Sequence, residues 1–330
     1  MKALSLSREK QLEIIETEKP RPQAGEVLVA IKSAALNHRE IWISKGMYPG
    51  MTLPSTLGAD GAGVVVEVGA GVDAGWLDKE VMCYPAIGWG DNEEAPTRQY
   101  RLYGMPLPGF IAEYIVLPEE NLVEKPAYLS WDEAAAVPVA SLTAWRGLVK
   151  HGRIQPNDNV LITGIGGGVA QAGLSFATAY GANVYVTSSH PDKMAYAQSQ
   201  GAVSGFNYRE ADWEKALAQQ SGGIDIVLDG APPQSLDTYM PFLKVGSKVI
   251  VYGSTAGQQV GMNIARFFLR HVSLIGTAMG SPKEFKEMIA FMEQHQIKPL
   301  IYKSFSFADA IEAFETLATG KQVGKITIQI

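Results

Sequence analysis

Val27, Val29 and Ile31 recur every second residue in Glu26-Val-Leu-Val-Ala-Ile-Lys32, the spacing of a strand with one face turned inward. Gly61-Ala-Gly-Val-Val-Val-Glu-Val-Gly69 reads as a second strand bounded by glycines. Up to about residue 128 the chain continues as short β-segments broken by Gly and Pro, which predicts an all-β, barrel-like start. From about 129 the texture changes, and apolar runs alternate with helical spacings. Strands are predicted at Asn159–Thr163, Asn183–Thr187, Asp225–Leu228, Lys248–Tyr252 and Val272–Ile275. Helices are predicted at Gly168–Tyr180, Asp192–Gln200, Asp212–Gln220 and Ser235–Leu243, with a further one at Pro282–His295. This alternation is the signature of a parallel sheet with crossover helices. The chain closes on the strand Lys325–Ile330. Both ends therefore differ from the middle, which predicts one domain, residues 1–128 with 277–330, interrupted by another, residues 129–276.

Composition removes several classes of function. The 330 residues carry 34 acidic and 28 basic side chains, a formal charge of −6, with no Lys/Arg cluster suited to a polyanion. Cys83 is the one cysteine, so neither an internal disulfide nor a four-thiolate zinc site can form. Charge arrives within the first nine residues, too early for the apolar core of a secretion signal. The most apolar helical stretch, Ala134 to Leu148, is interrupted by Pro138, Ser141, Thr143 and Arg146 and is shorter than a membrane span. A soluble, cytoplasmic protein is expected, with no nucleic-acid or membrane partner.

Chemistry enters at the strand Asn159–Thr163, which runs into Gly164-Ile165-Gly166-Gly167-Gly168-Val169-Ala170 and then a helix. Glycines let such a turn bend sharply and approach a pyrophosphate, while the helix start offers free N–H groups and its positive dipole end. Val169 stands where the strict Gly-x-Gly-x-x-Gly spacing wants its third glycine; counted as Gly164-x-x-Gly167-x-x-Ala170 the turn fits a common variant. The second strand should end over the adenosine ribose, and it ends Ser188-Ser189-His190-Pro191-Asp192-Lys193. Two hydroxyls and an ammonium suit a 2′-phosphate. Asp192 is the opposing signal, and after Pro191 it reads as a first-turn helix residue. NADPH is the expected cofactor.

These segments, together with Leu36-Asn37-His38-Arg39, Gly46-Met47-Tyr48-Pro49, Leu57-Gly58-Ala59-Asp60-Gly61, Pro138-Val-Ala-Ser-Leu-Thr-Ala-Trp145 and Lys248-Val-Ile-Val-Tyr-Gly253, resemble the medium-chain dehydrogenase/reductase superfamily. Within it, the chain resembles the zinc-free quinone oxidoreductase group. The resemblance spans nearly the whole chain. It implies an α/β protein in which a Rossmann doubly wound parallel sheet is inserted into a GroES-like, mainly-β catalytic domain.

Zinc-dependent members carry a cysteine at the position of Asn37, a His-Glu pair at Ala59-Asp60 and a cysteine or similar ligand at Val139. Neither Ala59 nor Val139 has a ligating side-chain atom, so the catalytic metal is expected to be absent. Residues 87–108 resemble the lobe that holds a structural zinc through four cysteines, and they contain none. Zinc stabilises charge gathering on one oxygen. Without it the favoured acceptors spread the charge themselves, as quinones and α,β-unsaturated carbonyls do. By the resemblance, Asn37 and Tyr48 line the nicotinamide end of the site, with His38 as a candidate proton source. Thr143 is placed against the nicotinamide ribose, Tyr208 against the adenosine phosphate, and Gly253, Ser254 and Thr255 against the cofactor. Asp60 reads as a backbone-capping residue. Trp42, Trp89 and Tyr103 are candidate walls of an acceptor pocket. The alternatives are a zinc-free reductase of aldehydes, ketones or enoyl thioesters, and a non-catalytic NADPH sensor or structural protein. The edge strand Val272–Ile275 resembles the one through which relatives pair, so a homodimer is expected.

Overall fold

A computed structural model describes residues 1–330, which divide into two compact units, Met1–Ala140 with Ser281–Ile330, and Ser141–Gly280. The first unit is built on a seven-stranded sheet. Its central strand, Glu26–Ala35, buries Val27, Leu28, Val29, Ile31, Ala34 and Ala35. Asp60–Val68 and Tyr114–Pro118 pair with it antiparallel. So does the late strand Lys325–Gln329, through Thr327↔Ala35, Ile328↔Ala34 and Gln329↔Ser33. Ala35 also stands opposite Asp60. Two distant segments thus meet at the end of the same strand, just before Asn37.

The boundaries fall later than the texture of the sequence places them, and two sets of hydrogen bonds explain why. Ser130 caps the helix Trp131–Ala135, accepting from Glu133 N at 3.2 Å, while Ser130 N donates to the Glu133 carboxylate at 2.7 Å. Asp132 then accepts from Ser33 at 2.6 Å, Ser304 at 2.8 Å and Gln329 at 2.9 Å. That carboxylate ties the helix to three strands of the first unit. At the other boundary, Thr277 N donates to Val251 O at 2.9 Å and Met279 N to Thr143 Oγ1 at 3.2 Å, which binds residues 277–280 into the second unit.

The second unit carries a six-stranded sheet in the order Ser204–Phe206, Asn183–Thr187, Asn159–Ile162, Ile224–Asp229, Leu243–Val251, Ser273–Gly276. Every neighbouring pair is parallel. With the first three strands reversed about Asn159–Ile162, this is the doubly wound dinucleotide-binding order. The predicted helix Ser235–Leu243 is instead a 3-10 turn, Leu236–Tyr239, because Pro241 cannot continue it and the next strand begins at Leu243. A short helix, Ile264–Leu269, lies where the sequence pattern predicts no element. No helix is long and apolar enough to cross a membrane.

Gly63 marks the tightest strand contact near the centre of the first unit: a Cβ there would stand 2.1 Å from Ala30 O. Gly63→Ala is expected to lower stability by about 1–3 kcal/mol through forced strand separation. Calorimetry checks this, and an unchanged melting temperature would reject the close approach of these two strands.

Candidate active site

Leaving the central strand, Leu36 N donates to Ile326 O at 2.9 Å, and Asn37 then starts the helix His38–Ser44 in an extended conformation. Asn37 N donates to the Glu40 carboxylate at 2.8 Å, which fixes the helix start. The Asn37 side chain faces ions at both ends. Its Nδ2 donates to Asp60 Oδ2 at 2.7 Å, and its Oδ1 accepts from Lys325 Nζ at 2.6 Å. Lys325 Nζ also meets Asp60 Oδ2 at 3.0 Å, while Asp60 Oδ1 accepts from Val139 N at 2.8 Å. Asp60 is wholly buried and Lys325 only 5% exposed. Asp60 does cap a backbone N–H, and it anchors a buried ion pair as well.

A second pair lies beside it. Arg39 meets the buried Glu40 at 3.3 Å, donates to Tyr103 O at 3.0 Å and to Met105 O at 2.9 Å, and sits 4.8 Å from the centre of the Tyr48 ring. Burial raises the Glu40 pKa and the charge of Asp60 adds to the effect, against the opposing pull of Arg39 and Lys325. Arg39 is held charged despite its own burial by Glu40, Tyr48 and Asp60.

His38 packs edge-on against Trp42, with ring centres 5.8 Å apart. Its surroundings first, then the Lys45 ammonium, lower its pKa. The ring is therefore neutral near pH 7, which makes it a poor source of an imidazolium proton. Two of the three candidate wall aromatics belong to packing instead. Trp89 is 3% exposed, with its indole N–H on Asn92 O at 3.1 Å and its ring against Tyr100. Tyr103 is buried against Phe110, and burial pushes its pKa up.

The positions that ligate zinc elsewhere do not fit a metal here. Ala59 offers a buried methyl group, and Val139 offers a backbone N–H already bonded to Asp60. Asn37 and Asp60 are bonded to each other and to an ammonium. A tetrahedral zinc needs three or four nitrogen, sulfur or oxygen ligands free of a competing cation.

In the second unit the glycine turn has the form a pyrophosphate requires. Gly164 adopts φ +62°, and Ile165 N and Gly164 N both reach back to Thr187, at 3.1 Å to its carbonyl and 3.4 Å to its hydroxyl. A Cβ on Gly164 would meet nothing within 4 Å, and one on Gly167 only Gly164 O at 3.7 Å. The helix Gly168–Ala179 begins there, and Gln171 N bonds Gly167 O at 2.9 Å. The N–H groups of Gly168, Val169 and Ala170 precede that first full turn and have no carbonyl four residues back within the helix, as an anion site requires. From beneath, Thr163 donates to the buried Asp229 at 2.5 Å, and Asp229 also accepts from Tyr239 at 2.5 Å and Ala231 N at 2.8 Å.

At the tip of the next strand, Ser188 is buried and accepts from His190 N at 3.0 Å. Tyr208 is 47% exposed and donates to Ser189 at 3.2 Å. Lys193 lies in the first turn of the helix Pro191–Ser199; partial burial lowers its pKa and Tyr208 opposes the effect. Asp192 is exposed in that same first turn. Thr143 Oγ1 accepts from Met279 N. Beyond the strand Leu243–Val251, Thr255 N donates to Gly230 O at 3.1 Å, and Gly253 passes so close that a Cβ would lie 2.8 Å from that oxygen. An open pocket of about 470 Å³ follows, lined by Pro232, Gln234 and Ala256–Gln259.

The family described as Alcohol dehydrogenase GroES-like domain matches residues 23–127, and that described as Zinc-binding dehydrogenase matches residues 168–294. The Zinc-type alcohol dehydrogenase-like protein YogA of Leptosphaeria maculans is 38% identical, over 94% of this chain and 92% of its own. The chain belongs to the medium-chain dehydrogenase/reductase superfamily. An acryloyl-coenzyme A reductase of Sulfurisphaera tokodaii, a member also aligned over its whole length, is 25% identical. The crystal structure of an NAD-dependent alcohol dehydrogenase superposes with a TM-score of 0.94 at 33% identity, covering both chains completely. The protein is thus an NAD(P)-dependent oxidoreductase of the superfamily, acting on small molecules.

Removing one member of the Asp60–Lys325 pair leaves the other buried and uncompensated. Asp60→Ala is expected to cost about 3–5 kcal/mol, measured by urea unfolding, and a loss below about 1 kcal/mol would contradict the pairing. A second prediction concerns acid. A histidine whose pKa falls on folding contributes stability that is complete above its unfolded value of about 6.5 and is lost as the pH drops through the folded value. His38→Gln should therefore flatten the fall in stability below about pH 6.5 and leave the slope above it unchanged. Identical urea midpoints for the two proteins across that acid range would refute this.

Proposed function

We propose that the protein reduces an α,β-unsaturated carbonyl compound with NADPH, without a metal. The observation that carries this is the Lys325 ammonium bonded to both Asn37 and Asp60, where a metal would need open ligands. NADPH, when bound, supplies a hydride. The chain's own residues must then tolerate negative charge arriving on the acceptor. When the hydride joins the β-carbon, the C=C electron pair moves to give an enolate, and the α-carbon afterwards takes a proton from water. Asn37 has one amide proton beyond the one given to Asp60 and can donate it to the enolate oxygen. The Tyr48 hydroxyl is a second donor, beside the Arg39 guanidinium. Quinones satisfy the same requirement by forming a delocalised phenolate. The acryloyl-coenzyme A reductase relative favours an enoyl thioester among these acceptors. The neutral His38 leaves the proton to solvent.

Preference for NADPH follows from Ser189, Tyr208 and Lys193 clustered at the strand tip, with Gly164–Val169 cradling the pyrophosphate. In the same reading the protein is a homodimer. The strand Ser273–Gly276 ends the sheet with one edge unpaired, and Leu274, Phe268 and Leu269 are 45%, 62% and 70% exposed beside it. Edge-to-edge pairing about a two-fold axis would satisfy the first and cover the second.

Steady-state rates with an enoyl thioester, an enone, a quinone and an alkanal are expected to rank the alkanal last; an alkanal ranked first would overturn the proposal. Lys193→Ala should lower kcat/KM about tenfold with NADPH and leave NADH unchanged, as loss of one charge-assisted hydrogen bond predicts. Equal losses with both nucleotides would remove Lys193 from phosphate recognition. Sedimentation should show a dimer that Leu274→Lys converts to monomer, and a monomeric wild type would reject the pairing.

A further inference from the structure

The two ends of an asparagine amide have nearly the same shape and opposite hydrogen-bonding character, so only the surroundings decide which end faces where. At Asn37 the surroundings are ions. Lys325 Nζ donates to Oδ1 at 2.6 Å, and Asp60 Oδ2 accepts from Nδ2 at 2.7 Å. The ions themselves pair at 3.0 Å, both withdrawn from water. Turning the amide over would set its N–H₂ against the ammonium and its carbonyl oxygen against the carboxylate. Two attractive contacts would become two repulsive ones where little solvent screens them. Neither ion can swing aside to permit the turn without stranding the other as a buried, uncompensated charge. Asp60 is pinned by Val139 N at 2.8 Å, and Lys325 begins a strand paired on both sides.

We propose that Lys325 and Asp60 are positioning residues whose ion pair locks Asn37 in the one orientation that leaves an N–H, rather than a carbonyl oxygen, for the substrate. The function of that N–H rests on the reduction proposed above, whereas the locking of the amide does not. The ammonium acts on strength as well as direction. Bonded to Oδ1, it draws electron density through the amide and makes the remaining N–H a better donor. A permanent side-chain cation thus acts on the acceptor at one remove, through Asn37.

The test uses the full-length protein with NADPH. Lys325→Met alone strands Asp60 in the core and need not fold, so the informative variant is Lys325→Met/Asp60→Asn, which removes both charges and keeps the volumes. With asparagine-selective ¹⁵N labelling, the Asn37 side-chain signal is identified by its loss in Asn37→Ala. In the wild type its heteronuclear NOE is expected to be as high as that of the backbone, and in the double variant to fall to that of a mobile side chain. In the same variant kcat for the unsaturated carbonyl should drop about 10- to 100-fold, less than the roughly 100- to 1,000-fold lost when an oxyanion donor is removed outright. The KM for acceptor and the Kd for NADPH should stay within about twofold, a split that a purely structural role would not give. A rigid Asn37 amide with unchanged kcat in the double variant would overturn the proposal, as would a mobile amide in the wild type. A wild type that reduces no unsaturated carbonyl while its amide is rigid would defeat the proposed reaction and leave the locking standing.

Discussion

A carboxylate with no access to water needs hydrogen-bond donors or an opposite charge around it, and for Asp60 that charge comes from Lys325, 265 residues away along the chain. This pairing is the constraint on which the first unit depends. To bring the two together, the strand Lys325–Gln329 must lie beside Glu26–Ala35 in one register, with Thr327 opposite Ala35. A slip of one residue would turn Ile326 and Ile328 out of the core and carry the ammonium to the wrong face. Hydrophobic alternation and charge pairing therefore specify the same register. The interrupted domain follows as the topology that lets both ends of the chain contribute to one sheet.

The second unit solves a related problem with a neutral network. Asp229 is equally buried, and it is compensated by the hydroxyls of Thr163 and Tyr239 and by a backbone N–H rather than by a cation. In exchange it holds Thr163 at the start of the glycine turn, where the proposed pyrophosphate contacts are main-chain groups. The proposed substrate-facing site in one unit thus rests on side chains oriented by ions, and the proposed anion site in the other on backbone oriented by hydrogen bonds.

The parallel sheet was legible because its strands are short apolar runs punctuated by glycine, and the turn after Ile162 has few other uses in that position. The failures have physical causes. Residues 235–243 have helical spacing but contain Pro241, which ends the turn early. The helix Ile264–Leu269 keeps only Phe267 buried and turns Ile264, Phe268 and Leu269 outward, so no inward stripe exposes it to a periodicity search. Trp89 and Tyr103 are aromatic residues in a loop-rich lobe, and residue type does not say which way a ring faces. Asn37 and Asp60 stood out as replacements at known positions. Lys325 did not, because in isolation it is a lysine at the start of a strand, and its meaning lies in two partners that only the fold supplies.

The order in which these parts leave the ribosome gives the same feature another aspect. Every residue of the dinucleotide unit is synthesised before Lys325. A nascent chain that has not yet reached that position can complete its parallel sheet, but it holds Asp60 without a counterion and leaves the Ser33–Ala35 end of the central strand without its neighbour on one side. Closure of the first unit's sheet therefore waits on the strand Lys325–Gln329, whereas the parallel sheet of the other unit is made wholly of segments that precede it.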